Sequence, residues 1–181
     1  MNVTDIIRGD DHLTNAAKQK LIYDSLKWEC PTFTHIPLIH GQDGSKLSKR
    51  HGALGIEFYK EEGYLPEALI NYLLRLGWSH GDQEIFSLEE MIKYFSIEKI
   101  RKSPSKFDID KLNDINSIYL KNTPIETLIS KMDSSHSNLS EKKFKSLSIV
   151  MPEILKRCKN IKDIEKNINF IINERPIKID N

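Results

Sequence analysis

The sequence predicts an α/β beginning, a single βαβ unit, that gives way to a mostly α-helical chain. Two short runs rich in β-branched residues, at 3–7 and 31–39, flank a stretch of helical periodicity. From residue 56 onward, apolar residues recur at helical spacing and the strand signals stop. Two strands joined by a helix are expected to lie parallel, because an intervening helix carries the chain back to the same end of the sheet.

The first strand, Val3-Thr4-Asp5-Ile6-Ile7, is ended by the turn-like Arg8-Gly9-Asp10-Asp11-His12. Thr14 or Asn15 is positioned to cap a helix running through Ala16, Ala17, Gln19, Leu21, Ile22 and Leu26. The second strand, 31–39, carries Pro37, which has no N–H to give a ladder and so marks an end or an irregularity. Residues 65–77 place Pro66 just inside a helix start and Gly77 at its stop, with an apolar stripe of Leu65, Leu69, Tyr72, Leu73 and Leu76. Ser87-Leu88-Glu89-Glu90 is a capping box that opens a helix through Met91, Ile92 and Phe95. Residues 139–172 read as two further helices, with Pro152 a candidate opener of one, and 134–138 read as a polar linker.

The chain has 181 residues, 39% hydrophobic and 29% charged. No apolar run approaches the roughly 18 residues that a membrane helix needs, so no membrane partner is expected. The first residues lack the basic, apolar and small-residue order of a secretory signal. Cys30 and Cys158 are far apart and read as buried thiols of a reducing compartment, which predicts a cytoplasmic protein. Trp28 and Trp78 follow apolar helix faces and are expected in the core. The six histidines show no metal spacing, so no zinc site is expected; His35 and His40 are assigned to packing or capping a strand. Net charge is +1, but cations cluster at 46–50, 99–106 and 142–162, a pattern that suits a polyanion and also suits a solvated lysine-rich surface.

Two clusters carry chemistry. Ligands of parallel α/β sheets bind beyond the carboxyl ends of the strands, and both clusters sit there. Lys46-Leu47-Ser48-Lys49-Arg50, with glycines on either side, can bring cations to a polyphosphate on a bendable backbone. Arg8 can take a carboxylate bidentately, and Asp11 or His12 can meet ribose hydroxyls or an ammonium. Competing readings are a plain basic surface loop, a structural Gly-Asp turn, and metal ligation by Asp10, Asp11 and His12, which sequence neighbours rarely achieve around one ion.

These residues resemble a known family. Ile7-Arg8-Gly9-Asp10-Asp11-His12-Leu13, then His35-Ile36-Pro37-Leu38-Ile39, Gly41, Asp43-Gly44 and Lys46-Leu47-Ser48-Lys49-Arg50-His51-Gly52-Ala53 are similar to glutamyl-tRNA synthetase. So are Glu62-Gly63-Tyr64-Leu65-Pro66-Glu67-Ala68-Leu69, Leu76-Gly77-Trp78-Ser79 and Glu84-Ile85-Phe86-Ser87. The likeness is dense over residues 3–120 and fades beyond them. It implies a class I synthetase: a Rossmann-like piece over 1–53 holding the Lys-Leu-Ser-Lys-Arg loop, helical stem-contact structure over 54–120, and the start of an anticodon-binding helical region over 121–181.

The resemblance further implies ATP as substrate with Mg2+ accompanying it, glutamate, and tRNA for glutamate or also for glutamine. Lys46 and Lys49 are implied as the catalytic cations. Lys46, Leu47, Ser48, Lys49, Arg50, Asp11, His12, Leu38 and Ile39 would line the ATP site, and Arg8 would bind glutamate. The family's His-Ile-Gly-His-like element has no counterpart in these residues and is assigned to a segment upstream of Met1. A separate N-terminal half is therefore a further expected partner, and the chain alone is expected to lack independent activity. The alternative is a synthetase-derived tRNA-binding module without catalysis.

Overall fold

The computed structural model describes residues 2–47, 55–132 and 139–172. The expected linker at 134–138 lies outside them, as do Ser48, Lys49 and Arg50. The chain separates into two compact units, one of residues 1–53 with 73–108 and the other of residues 54–72 with 109–181.

The first unit opens with strand β1 (Asp5–Gly9), a 3-10 turn (Asp10–His12), helix α1 (Leu13–Leu26) and strand β2 (Thr32–Ile36). β1 and β2 pair in parallel, with Asp5 opposite Thr32 and Gly9 opposite Ile36. The expected second strand is broken at Pro37: a separate β3 (Ile39–His40) comes next and pairs in parallel with β4 (Ser105–Lys106). A residue without an N–H ends one ladder, and the chain starts another two residues on. The start of α1 differs from expectation. His12 occupies the N-cap with no side-chain capping bond, while Thr14 and Asn15 lie inside the helix. The 3-10 turn runs directly into α1, so the chain is already helical before either residue could cap it.

No residue of β1, α1 or β2 is buried. The unit's apolar core is Trp78, Phe86 and Met91, supplied around α4 (Leu88–Tyr94) and the residues before it. The capping box forms as expected: Ser87 Oγ accepts from the Glu90 N–H at 3.2 Å, and the Ser87 N–H donates to Glu90 Oε2 at 2.7 Å. Trp78 is 1% exposed, as a core residue should be, but Trp28 is 63% exposed and does not join a core. It comes after Lys27, whose left-handed backbone ends α1, and meets the edge of Tyr23 at 6.3 Å between centroids.

The second unit is helical: α2 (Ile56–Glu61), α5 (Ile109–Asn122), α6 (Ile125–Ser130), α7 (Glu141–Leu155) and α8 (Ile161–Ile172). Helix α3 (Pro66–Gly77) starts at its proline and ends at its glycine, and the division between units falls within it, after Tyr72. Of its expected stripe, Leu65, Leu69 and Tyr72 are buried, whereas Leu73 is exposed. Pro152 lies inside α7 rather than opening a helix; Ser140 is the cap, its Oγ accepting from Lys143 N–H at 3.4 Å.

Asn116 on α5, fully buried, ties the unit together. Its Oδ1 accepts from Leu65 N–H at 2.9 Å and its Nδ2 donates to the Lys159 carbonyl at 2.6 Å. Beside it, Ile161 N–H donates to the Gly63 carbonyl at 3.0 Å. Gly63 has φ +78, and a Cβ there would meet Ile161 Cβ at 2.8 Å, so the close approach needs glycine twice over. Cys158 is buried near this seam, and burial pushes its thiol up in pKa; Cys30 is only half-buried, against expectation. Both are free thiols. Among the described residues no helix is long and apolar enough to cross a membrane.

Candidate active site

The carboxyl ends of β1 and β2 lie side by side because the strands are parallel, so the turn after β1 and the segment after β2 emerge at one place. Arg8, opposite His35 in the ladder, is held from three sides. Its Nη2 donates to Gln19 Oε1 on α1 at 2.9 Å, its Nε donates to His35 Nε2 at 3.4 Å, and its guanidinium lies 5.0 Å over the Phe33 ring. His35 in turn stacks on Phe33. Three of the five guanidinium N–H bonds are left for a ligand, enough for one bidentate carboxylate. His35 therefore serves as a strand-packing residue, as expected, and also orients an arginine. Gln19 could have been picked out as a polar residue in the half-buried row Ala16, Gln19, Tyr23, which falls at i, i+3, i+7.

Gly9 is the close approach at the end of β1. A Cβ there would lie 2.6 Å from Asp11 Oδ1 and 3.1 Å from Leu38 Cδ2. The glycine thus leaves room for the Asp11 carboxylate and the Leu38 side chain at the end of β1. His12 is exposed, its Nδ1 3.3 Å from Asn15 Nδ2.

The basic loop reaches the same place by a closed hairpin stem. Leu47 N–H donates to the Ile39 carbonyl at 2.9 Å, His40 and Lys46 form an antiparallel bridge, and Gly41 N–H donates to the Ser45 carbonyl at 2.9 Å. Asp43 Oδ1 accepts from both the N–H and the hydroxyl of Ser45, and Gly44 turns the backbone at φ +80. Gln42 Nε2 donates to the Phe107 carbonyl and Phe107 N–H to that of His40, which anchors the stem beside β4. The stem aims Lys46 at the turn after β1. Its Nζ lies 2.6 Å from Asp11 Oδ2, and this ammonium holds the Asp11 carboxyl below the usual carboxylate range.

The structure therefore joins Lys46 to Asp11 and Leu47 to Ile39 and sets Leu38 beside Gly9, while Arg8, one residue before Gly9, rests on Gln19, His35 and Phe33. Among the described residues no group of three His, Cys, Asp or Glu side chains could hold a metal ion, and Asp11 is already engaged by Lys46. The described residues thus offer no protein cage for Mg2+.

Residues 1–114 match the family model for "tRNA synthetases class I (E and Q), catalytic domain". The chain is 47% identical over 190 residues to glutamate–tRNA ligase 1 of Xanthobacter autotrophicus, covering 99% of this chain and 40% of that protein. It is 50% identical over 185 residues to glutamate–tRNA ligase 2 of Parvibaculum lavamentivorans, covering 99% and 38%. Among solved structures it is similar to a glutamate tRNA ligase from Elizabethkingia meningosepticum in complex with its amino acid, with a TM-score of 0.79 and 33% identity over 94% of this chain and 38% of that one. The chain thus spans about 40% of the length of the curated relatives it matches. With the parallel strands, the Asp11-bearing turn and the lysine loop meeting at one edge, and with more than half of its residues matched, the chain belongs to the class I tRNA synthetases of the E and Q group.

Proposed function

We propose that this chain carries part of the active site of a glutamate–tRNA ligase, the part that holds the carboxylate of glutamate and the departing phosphates of ATP. In that reaction a glutamate carboxylate oxygen attacks the α-phosphorus of ATP, the bond to the β-phosphate oxygen breaks, and pyrophosphate leaves. The acyl group then passes to a terminal ribose hydroxyl of tRNA as AMP departs. Arg8 binds a glutamate carboxylate. Asp11, His12 and the backbone at Leu38 and Ile39 border the adenosine. Lys46, with Leu47, Ser48, Lys49 and Arg50, tracks the phosphates, and Lys46 and Lys49 offset the charge that builds on the leaving group. Such electrostatic stabilisation is worth on the order of 2–4 kcal/mol per donor. Mg2+ accompanying the nucleotide would supply further positive charge to its phosphates. Residues 54–120 contact the tRNA stem and residues 121–181 begin the anticodon-binding region, for a tRNA that is either the glutamate isoacceptor alone or also the glutamine one.

The observation that carries this reading is the 2.6 Å contact of Lys46 with Asp11, which joins two predicted elements 35 residues apart at the carboxyl ends of parallel strands. Supporting it is an Arg8 already fixed on Gln19, His35 and Phe33. The test is backbone NMR with a non-hydrolysable glutamyl-adenylate analogue. Shifts concentrated at Arg8, His12, Leu38, Ile39 and Lys46, and lost in Arg8→Ala, are expected; no perturbation at these amides would overturn the assignment. Catalysis needs both ends of the triphosphate positioned, so a polypeptide of these 181 residues alone should give no ATP–pyrophosphate exchange, with or without tRNA. Exchange by the chain alone, abolished in Lys49→Ala, would refute that.

A second reading, a tRNA-binding module without catalysis, is favoured by one feature. The helical unit has an extensive buried core of its own, whereas β1, α1 and β2 contribute no buried residue. Salt-sensitive tRNA binding together with an unresponsive adenylate site would select it.

A further inference from the structure

We infer that Gln19, Phe33 and His35 are positioning residues that hold Arg8 in place without neutralising it, so that its charge stays unmatched until a substrate carboxylate binds. Which carboxylate arrives rests on the ligase reading above; the cradle itself stands on contacts within the first unit.

The elements explain why these side chains converge. Arg8 lies opposite His35 in the parallel ladder, and Phe33 and His35, two residues apart, share one face of β2. Gln19 comes from the half-buried row of α1, and all four residues are half-buried. None of the three partners carries a negative charge. The amide oxygen Gln19 Oε1 accepts from Arg8 Nη2 at 2.9 Å. An arginine has no acceptor, so the 3.4 Å contact with His35 needs a bare Nε2, and the neutral ring then keeps its proton on Nδ1. The Phe33 face attracts the guanidinium without cancelling its charge.

Other cations of the chain are treated differently. Lys20, Lys46, Lys145, Lys156, Lys159 and Lys162 each pair with a carboxylate. Among the described residues Arg8 pairs with none, although Asp10 and Asp11 follow it within three positions. Lys46 takes Asp11, so the ion pair at the loop also engages an acid of the turn next to the arginine. The cradle sets direction as well. With Nε on His35, the side-on fork of Nε and Nη2 is closed, and a ligand must meet the Nη1 and Nη2 tips.

The test is side-chain nitrogen NMR of the 181-residue chain. The Arg8 Nε–H should exchange with water at least tenfold more slowly than that of the exposed Arg101, and the His35 ring should be bare at Nε2. Glutarate, a dicarboxylate with neither amine nor nucleotide, should shift the Arg8 signals on titration. Gln19→Glu supplies an internal counter-ion. Its Arg8 signal should stay protected while the dissociation constant for glutarate rises at least tenfold, a split that a merely structural glutamine would not produce. His35→Phe keeps a ring beside Phe33 but removes the acceptor, and should speed Arg8 Nε–H exchange at least tenfold. Helicity by circular dichroism checks both variants, and the measurements on the parent chain need neither. A proton on His35 Nε2, an Arg8 indifferent to glutarate, or parent-like glutarate binding by Gln19→Glu would each overturn the inference. A response to glutarate with none to the glutamyl-adenylate analogue would sink the ligase reading and leave the cradle standing.

Discussion

Asp11 and Lys46 show how one contact can join two motifs. The ammonium holds the Asp11 carboxyl low, so the pair is intact above the ordinary carboxylate pKa and is lost as pH falls through the lowered folded value. An NMR titration should show this, and Lys46→Gln should return Asp11 to the ordinary range; an unaltered titration would mean that the pair does not form in solution. Both groups are open to water, so the effect belongs to loop position rather than to global stability. Asn116 is the opposite case. Asn116→Ala leaves the Leu65 N–H and the Lys159 carbonyl unpaired in a buried place, and should cost about 2–4 kcal/mol by chemical denaturation. The residue types of both clusters are readable in the sequence; the partners are not. Nothing in the string pairs residue 11 with residue 46, or residue 116 with residues 65 and 159, because folding sets those distances.

At the scale of elements, legibility tracks chain-local chemistry. Pro37 breaking a strand, Pro66 and Gly77 bounding α3 and the Ser87–Glu90 box all depend on neighbours within four residues, and all are present. The start of α1 and the place of Pro152 differ from expectation because two helix starts compete: a 3-10 turn precedes the expected cap, and Ser140 caps α7 about three turns upstream of the proline. β4 is illegible in the sequence because it is two residues long and its partner lies more than sixty residues earlier. The Ser87 cap gives a direct check. Ser87→Ala should cost about 1 kcal/mol, while Ser87→Asp should retain most of the stability, both read by thermal or urea melts. Equal losses in the two variants would show that the hydroxyl does not cap α4.

For the whole molecule, the buried core is unevenly shared. Leu112, Ile115, Leu120, Leu128, Leu147, Met151, Ile164 and Ile168, among others, fill the helical unit, whereas Trp78, Phe86 and Met91 make the core of the first unit. Hydrogen exchange should therefore fall into two classes, with α5, α7 and α8 amides the slowest and those of β1 and α1 among the fastest. Uniform protection would contradict this. The charge pattern reads differently in three dimensions as well. Of the lysines clustered at 142–162, Lys145, Lys156, Lys159 and Lys162 pair with Glu141, Glu153, Asp114 and Glu62, and Lys143 donates to the Ile172 carbonyl. Much of that cluster is spent on intramolecular contacts, and the family assignment rests instead on the motifs at the strand ends.

The junction at Gly63 has a consequence for how the protein is made. Gly63 and Leu65 are held by Ile161 and, through Asn116, by Lys159, nearly a hundred positions downstream. A growing chain still in the ribosome cannot close that junction until Ile161 has emerged, so the turn at Gly63 waits without that contact while α3, α5, α6 and α7 are made. The helical unit, which is the better packed once finished, is the one whose assembly must come later.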